Sequence, residues 1–201
     1  MWTDKNNVNW KKRIRTFRTL LSTLEIKSVL ELGCNRGYNL EALKQVGDYD
    51  MVGMDICEYP LLKSVNKDLS LVQGDIQSLP FKDNSFDLVF TVATLLYFDV
   101  EDLLVIAREI NRVSKRYFLA IEYYVDPSQE TMLDDRAIQC CFIPSPERWW
   151  ESITAWWARD YGYFLPNLFD KRILSKEQGF GGCGWWLFDK KLVPGTGYVE
   201  L

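Results

Sequence analysis

The chain has 201 residues, of which 47% are hydrophobic and 26% are charged, as in an ordinary globular protein with one domain. Its net charge of −4, without a basic stripe, argues against a general nucleic-acid binder. The chain has no histidine, which excludes a histidine general base and a histidine-ligated metal, and its five cysteines form no CxxC pair, so we expect no metal site.

The N-terminus and the cysteines favour a cytoplasmic protein. The first ten residues, MWTDKNNVNW, are polar and do not resemble a secretory signal peptide. The cysteines are odd in number and irregularly spaced, which favours reduced thiols. No apolar run reaches the roughly 20 residues that a membrane-spanning helix needs, so we expect no membrane span.

Helices and strands alternate in the first 125 residues. Apolar residues at helical spacing predict a first helix over residues 8–24. Short apolar runs predict five strands, at 27–32, 50–54, 69–73, 86–92 and 117–124. Helical segments are predicted between them at 37–46, 60–65 and 100–112. This alternation predicts an α/β domain with a mainly parallel sheet and helices on both faces.

Aromatic residues are concentrated in the last third of the chain. A helix is predicted over residues 145–161, and two further strands over 167–174 and 183–190. Paired tryptophans place indoles on more than one face, which favours a substrate cleft, a lid or a partner surface in addition to core packing. An oligomer that forms through this region is a further expectation.

We therefore interpret residues 1–201 as one domain with three parts. Residues 1–25 are predicted to form an N-terminal helical cap, and residues 26–125 a cofactor-binding core. Residues 126–201 are predicted to form an aromatic-rich substrate or lid region together with the last two strands.

The stretch VLELGCNRGYNL, residues 29–40, predicts a cofactor loop at the end of the first strand. Its two glycines, Gly33 and Gly37, match neither the dinucleotide fingerprint G-x-G-x-x-G nor a P-loop. The carboxylate of Glu31 would repel a pyrophosphate and suits a cofactor with a positive charge. Asn35 stands where such loops often carry a glycine, and asparagine tolerates the left-handed backbone better than most residues.

Two more acids follow later strands. Asp55 ends the second strand, where nucleotide-binding folds place an acid on the ribose diol. Asp75 follows the third strand and is placed to accept from an exocyclic amine, with Ile76 against the ring. Because parallel strands end at the same edge of a sheet, the acids predict a ligand with an amino group, a ribose and an adenine but no phosphate. S-adenosylmethionine is such a molecule.

Residues 27–124 resemble the class I S-adenosylmethionine-dependent methyltransferases. VLELGCNRGYN is similar to their first motif, E/D-x-G-x-G-x-G, and VGMDI and VQGDIQSLPFKDNSFDLVFTVATLLYF are similar to later motifs in the right order. The resemblance implies a Rossmann-like, seven-stranded, mostly parallel sheet whose last strand is antiparallel. It also implies S-adenosylmethionine as the cofactor.

The resemblance assigns residues to the site. The implied cofactor-binding residues are Glu31, Gly33, Cys34, Asn35, Gly37, Asp55, Ile56, Asp75, Ile76, Thr91, Val92 and Arg13. Arg13, on the first helix, is expected to pair with the carboxylate of the cofactor. If the acceptor needs a general base, the candidates in a chain without histidine are Tyr97, Glu122 and Tyr123.

A fainter resemblance links ELGCNRGYNL, IEYYVDP and GWWLFDKK to bacterial methylases associated with the biosynthesis of pseudaminic acid and related surface sugars. The leading hypothesis is therefore methyl transfer by in-line displacement to a small molecule, a sugar or another metabolite. One alternative is a catalytically silent cofactor-binding or regulatory relative, which Asn35 and the absence of histidine allow. The other is an NAD(P)-dependent oxidoreductase, against which Glu31 and the missing third glycine argue.

Overall fold

The computed structural model of the chain describes residues 8–98, 100–123 and 183–189. The strands are β1 (Ser28–Leu32), β2 (Asp50–Asp55), β3 (Ser70–Gln73), β4 (Phe86–Val92), β5 (Ser114–Tyr123) and β6 (Cys183–Asp189). They form one sheet of order β3-β2-β1-β4-β5-β6 within the described residues. Strands β1 to β5 are parallel, and β6 runs antiparallel beside β5. The predicted parallel α/β architecture is confirmed.

Four α-helices and one short 3-10 helix accompany these strands in the described part of the chain. They are α1 (Val8–Leu21), α2 (Tyr38–Leu43), α3 (Glu58–Leu62), the 3-10 helix (Leu95–Tyr97) and α4 (Val100–Val113). In α4, Leu103, Ile106 and Ile110 recur at helical spacing and are all buried. None of these helices has both the length and the apolar character that crossing a bilayer requires.

The sheet has an apolar core on each face, because successive side chains of a strand point to opposite faces. In β1, Val29 packs on the side of α1 and α2, whereas Leu30 packs on the side of α4. Both side chains are fully buried. Strands covered on both faces read as continuous apolar runs, which is why the sequence pattern located them. Each side chain of this size stabilises the fold by about 1.5–3 kcal/mol when buried.

Some predicted boundaries are wrong. Pro60 was predicted to start or interrupt a short helix that ends near Val65; the helix spans Glu58–Leu62, so that Pro60 is its third residue. Proline is tolerated anywhere in the first turn because the N–H groups there have no partner within the helix. Strand β5 begins at Ser114 rather than at residue 117, because Ser114 already pairs with Phe86 of β4.

Several predictions concern other parts of the chain. The helix at 145–161 and the strand at 167–174 lie outside the described residues. The seven-stranded sheet and the division into three parts therefore stay predictions. Strand β6 occupies the position predicted for the strand at 183–190.

Candidate functional site

The loops after β1, β2 and β4 meet at the carboxyl edge of the sheet. The backbone N–H groups of Gly33 and Cys34 both donate to the carbonyl oxygen of Met54, at 2.8 and 3.0 Å, which holds the loop after β1 against the end of β2. On the other side, the hydroxyl of Thr94 donates to the carbonyl oxygen of Leu32 at 3.2 Å. The loop after β1 therefore contacts the end of β2 on one side, and the loop after β4 contacts the end of β1 on the other.

Three residues of the loop after β1 have a left-handed backbone. The φ angles are +72° at Gly33, +50° at Asn35 and +80° at Gly37. Gly33 also has no room for a side chain, because a Cβ atom there would lie 2.3 Å from the hydroxyl oxygen of Thr94. Asn35 adopts the conformation that the missing glycine would adopt, and its side chain is exposed. The turn thus survives the substitution, as the sequence predicted.

Asp55 ties this loop to the start of α3. One carboxylate oxygen accepts the backbone N–H of Asn35 at 2.8 Å, and the other accepts the backbone N–H of Cys57 at 2.9 Å. Each oxygen of a carboxylate can accept more than one hydrogen bond, so both retain capacity for donors of a ligand. The next residue, Ile56, is 68% exposed and offers an apolar surface beside the acid.

Asp75 and Ile76 follow β3, and their surroundings differ from those of Asp55 and Ile56. Asp75 is exposed, and its carboxylate accepts the backbone N–H of Gln77 at 2.9 Å, which closes a turn. Ile76 is only 7% exposed and belongs to the core on the side of α4. Its contact with an adenine ring stays a prediction.

Glu31 is fully buried at the end of β1. Its Oε1 accepts a hydrogen bond of 2.6 Å from the side-chain amide of Asn39, and the amide oxygen of Asn39 accepts one of 2.6 Å from the guanidinium of Arg13. Its Oε2 has no hydrogen-bond partner among the described residues. Burial raises the pKa of Glu31 to about 8, although the hydrogen bond from Asn39 and the charge of Arg13 lower it.

Cys34 is a buried part of the same loop. Burial raises the pKa of its thiol, and the neighbouring carboxyl groups of Glu31 and Asp55 raise it further. The sulfur is therefore protonated at neutral pH and is a poor nucleophile. Its side chain is only 3% exposed, and the role in cofactor binding that the resemblance implies for Cys34 stays a prediction.

The candidates for a general base have different environments. Glu122 is fully buried, and its Oε2 accepts the backbone N–H groups of Thr94 at 3.0 Å and Leu95 at 3.2 Å. Burial raises its pKa to about 8. Tyr97 is 62% exposed at the end of the 3-10 helix. The backbone of Tyr123 ends β5, and its side chain lies outside the described residues.

Thr91 and Val92, the last two residues predicted to contact the cofactor, lie at the end of β4. Thr91 is fully buried, and Val92 packs partly against the core on the side of α1. In the described part of the chain, no group of carboxylates and thiols could hold a metal ion.

Asn39 was not recognised in the sequence as a residue of the site, and Thr94, which follows the fourth strand, was given no role. Asn39 lies eight residues after Glu31, next to Leu40 on the buried first turn of α2. A polar side chain among the apolar residues of a short helix was the only available signal. Nothing in the sequence indicated that Thr94 lies against Gly33.

Comparison with known proteins identifies the fold. Residues 30–118 match the family of the methyltransferase domain. This match, with the similarity to methyltransferases described below, supports a class I methyltransferase domain over these residues. The resemblance that the motifs indicated is confirmed, and the methyltransferase domain includes the loops after β1, β2, β3 and β4.

Relatives of the methyltransferase domain differ in their activities. The demethylmenaquinone methyltransferase of Staphylococcus carnosus is 29% identical over 133 residues, 61% of this chain and 51% of that protein. A mitochondrial protein of Rattus norvegicus named arginine-hydroxylase NDUFAF5 is 35% identical over 88 residues, 43% of this chain and 25% of that protein. The chain thus spans about half the length of the first relative and a quarter of the second.

Solved structures share the fold over a larger part of the chain. One is a chain from a complex of Haloferax volcanii that contains the Trm112 methyltransferase activator. It is 19% identical to this chain and has a TM-score of 0.59, and the similarity covers 90% of both chains. At this level of identity the comparison concerns the fold alone.

Proposed function

We propose that this chain binds S-adenosylmethionine at the carboxyl edge of β1 and β2 and transfers its methyl group to a small-molecule acceptor. The methyltransferase domain supports methyl transfer, and membership of this family implies the cofactor. The observation that carries the proposal is the pair of carboxyl groups on the two sides of the loop after β1. Glu31 presents a buried oxygen without a partner among the described residues, and Asp55 presents an oriented carboxylate.

The residues present fit this cofactor. The Oε2 atom of Glu31 is an acceptor for the ammonium group of the methionine moiety. The two oxygens of Asp55 are suited to the two hydroxyls of a ribose, and the exposed Ile56 is suited to the face of an adenine. A pyrophosphate would lie between two acids here, which disfavours NAD(P).

When bound, S-adenosylmethionine supplies a methyl carbon that its sulfonium group activates. The protein has to align that carbon with the acceptor and exclude water, and alignment alone can supply about 7–11 kcal/mol. We assign the acceptor side to the loop that contains the 3-10 helix, because Thr94 of this loop packs against Gly33. The exposed Tyr97 is our candidate for a base that takes the acceptor's proton.

We assign Glu122 a different role from the one its sequence position favoured. Both of its oxygens lie within the protein, and they accept the N–H groups that begin the 3-10 helix. We propose that it holds the acceptor loop in place rather than removing a proton from the acceptor. Tyr123 stays a candidate for the general base, because it directly follows Glu122 in the sequence.

The acceptor is a sugar or another metabolite in our proposal. The relative from Staphylococcus carnosus, by its name, acts on demethylmenaquinone, so a quinol belongs among the acceptors to be tested. A second candidate function is cofactor binding without methyl transfer. It is favoured by the relative named arginine-hydroxylase, because that name is not the name of a methyltransferase.

Calorimetric titration with S-adenosylmethionine, its demethylated product S-adenosylhomocysteine and NAD tests the cofactor. We expect the first two to bind and NAD not to bind. Asp55→Ala should weaken binding at least about tenfold, since a charge-assisted hydrogen bond is lost. Asp50→Ala is the matched control, because Asp50 is an exposed acid at the opposite end of β2 and should not affect binding. Binding of NAD alone would refute the proposal.

Incubation with methyl-labelled S-adenosylmethionine and a panel of sugars, nucleotide sugars and demethylmenaquinone tests the reaction. Transfer of label to one of them is the expected result. Tight cofactor binding without transfer to any acceptor in a broad panel would instead favour the second candidate function.

A further inference from the structure

A chain of three buried polar side chains joins α1 to the end of β1. Arg13, on α1, is 9% exposed and donates from its guanidinium to the amide oxygen of Asn39 on α2. The amide nitrogen of Asn39 donates in turn to Oε1 of Glu31. Both hydrogen bonds measure 2.6 Å, and they connect residues that are 26 and 8 positions apart in the sequence.

The order of donors and acceptors fixes the orientation of each group. A guanidinium can only donate, so it determines which end of the Asn39 amide faces Arg13 and which end faces Glu31. The amide nitrogen then engages one carboxyl oxygen of Glu31, Oε1. The other oxygen, Oε2, is buried and has no hydrogen-bond partner among the described residues.

A purely structural role explains this arrangement poorly. Burying polar and charged groups carries a desolvation penalty, and well-packed apolar residues of similar volume would often be at least as stable. Buried polar atoms in native proteins are nearly always hydrogen-bonded, so an oxygen left without a partner in the described part of the chain points to a ligand. That oxygen belongs to the acid at the end of β1, next to the left-handed turn at Gly33.

We propose that Arg13 and Asn39 are positioning residues, which hold the carboxyl group of Glu31 so that its Oε2 accepts a hydrogen bond from the ammonium group of the cofactor's methionine moiety. This inference rests on the proposed function. It makes α1 part of the cofactor site without direct contact between Arg13 and the ligand. The two residues should therefore affect recognition of the amino-acid end of the ligand and leave recognition of the adenosine end unchanged.

Two ligands separate these effects. S-adenosylhomocysteine has both the adenosine and the amino-acid end, whereas 5′-methylthioadenosine keeps the adenosine and the sulfur but lacks the amino acid, with both its ammonium and its carboxylate. The ratio of their dissociation constants reports the amino-acid end alone. General damage to the fold would weaken both ligands and leave this ratio unchanged.

The test is a calorimetric titration of wild type and Asn39→Leu with both ligands. Leucine has a similar size to asparagine and removes both hydrogen bonds. We expect the affinity for S-adenosylhomocysteine to fall about tenfold or more, as for a charge-assisted hydrogen bond, and that for 5′-methylthioadenosine to change by less than about twofold. Arg13→Met should act in the same direction, and Arg13→Lys should restore part of the ratio.

Asn66→Leu is the matched control. The amide nitrogen of Asn66 donates at 2.8 Å to the carboxylate of Glu41, which also lies on α2, so this variant also removes an asparagine–glutamate hydrogen bond. It should leave the ratio of dissociation constants as in wild type. If Asn39→Leu fails to fold, the two Arg13 variants provide the same comparison, because Arg13 begins the series of hydrogen bonds that ends at Glu31.

The possible failures are distinguishable. If wild type binds both ligands and Asn39→Leu weakens both equally or neither, the positioning role is wrong and the proposed function stands. If wild type binds neither ligand, the proposed function fails and this inference fails with it.

Discussion

Replacing Gly33 by alanine should destabilise the domain through two separable effects. The backbone at this position has φ +72°, and a side chain in the left-handed conformation costs about 1–2 kcal/mol. The new Cβ would also lie 2.3 Å from the Oγ1 atom and 2.5 Å from the Cγ2 atom of Thr94, well inside van der Waals contact. Overpacking of this kind typically costs about 1–3 kcal/mol. The free energy of unfolding should therefore fall by about 2–5 kcal/mol.

Urea unfolding of four proteins separates the two effects, namely wild type, Gly33→Ala, Thr94→Ala and the double variant. Thr94→Ala removes the two side-chain atoms that lie nearest to the new Cβ. In that background the alanine at position 33 should cost only the backbone part, about 1–2 kcal/mol. Thr94→Ala by itself should cost about 1 kcal/mol, since it loses the hydrogen bond to the carbonyl of Leu32.

Asn35→Ala is a control for the backbone effect alone, because Asn35 has φ +50° and an exposed side chain. The reasoning is refuted if Gly33→Ala costs the same with and without the side chain of Thr94. It is also refuted if Gly33→Ala lowers the free energy of unfolding by less than about 1 kcal/mol in the wild-type background. Either result would mean that the acceptor loop does not pack against the cofactor loop.

Three other predictions concern individual side chains of the site. The free energy of unfolding of the ligand-free protein should fall as pH rises from about 5 to about 8, because folded Glu31 keeps a proton up to its pKa of about 8 while the unfolded chain releases it near the ordinary value of 4.5. Glu31→Gln should reduce this fall in urea titrations at several pH values, and an unchanged slope would argue against the raised pKa. Asn35→Gly should keep the calorimetric affinity for S-adenosylhomocysteine within about twofold, since the exposed side chain serves the turn, whereas a tenfold loss would make its amide a ligand. Glu122→Gln should keep most of the turnover, because an amide oxygen can still accept the N–H groups of the 3-10 helix. Tyr97→Phe should lower kcat, because it removes the proposed base. Full turnover in both variants would mean that neither residue acts as a base.

The strands could be predicted from the sequence because parallel strands buried on both faces are continuous apolar runs. Strand β4 was predicted with its observed ends, Phe86 and Val92. The position of Asp55 also followed from the sequence, because the carboxyl ends of parallel strands share one edge of the sheet. These features depend on local patterns and on a general rule of topology.

The remaining features depend on tertiary packing, which local patterns do not encode. Asp55-Ile56 and Asp75-Ile76 are the same dipeptide after two successive strands, yet Ile56 is 68% exposed and Ile76 is 7% exposed. The difference arises because the turn after β3 packs Ile76 into the core beneath α4. The bond between Arg13 and Asn39 likewise joins two helices through a contact that neither helical pattern predicts.

The most direct test of the proposed function is an experimental structure of the chain with S-adenosylhomocysteine. The proposal predicts the ribose hydroxyls within hydrogen-bond distance, about 2.5–3.0 Å, of the Asp55 carboxylate. It also predicts the amino group within about 2.7–3.2 Å of Oε2 of Glu31. A nucleoside bound away from the loop after β1, or a ribose without contact to Asp55, would contradict it.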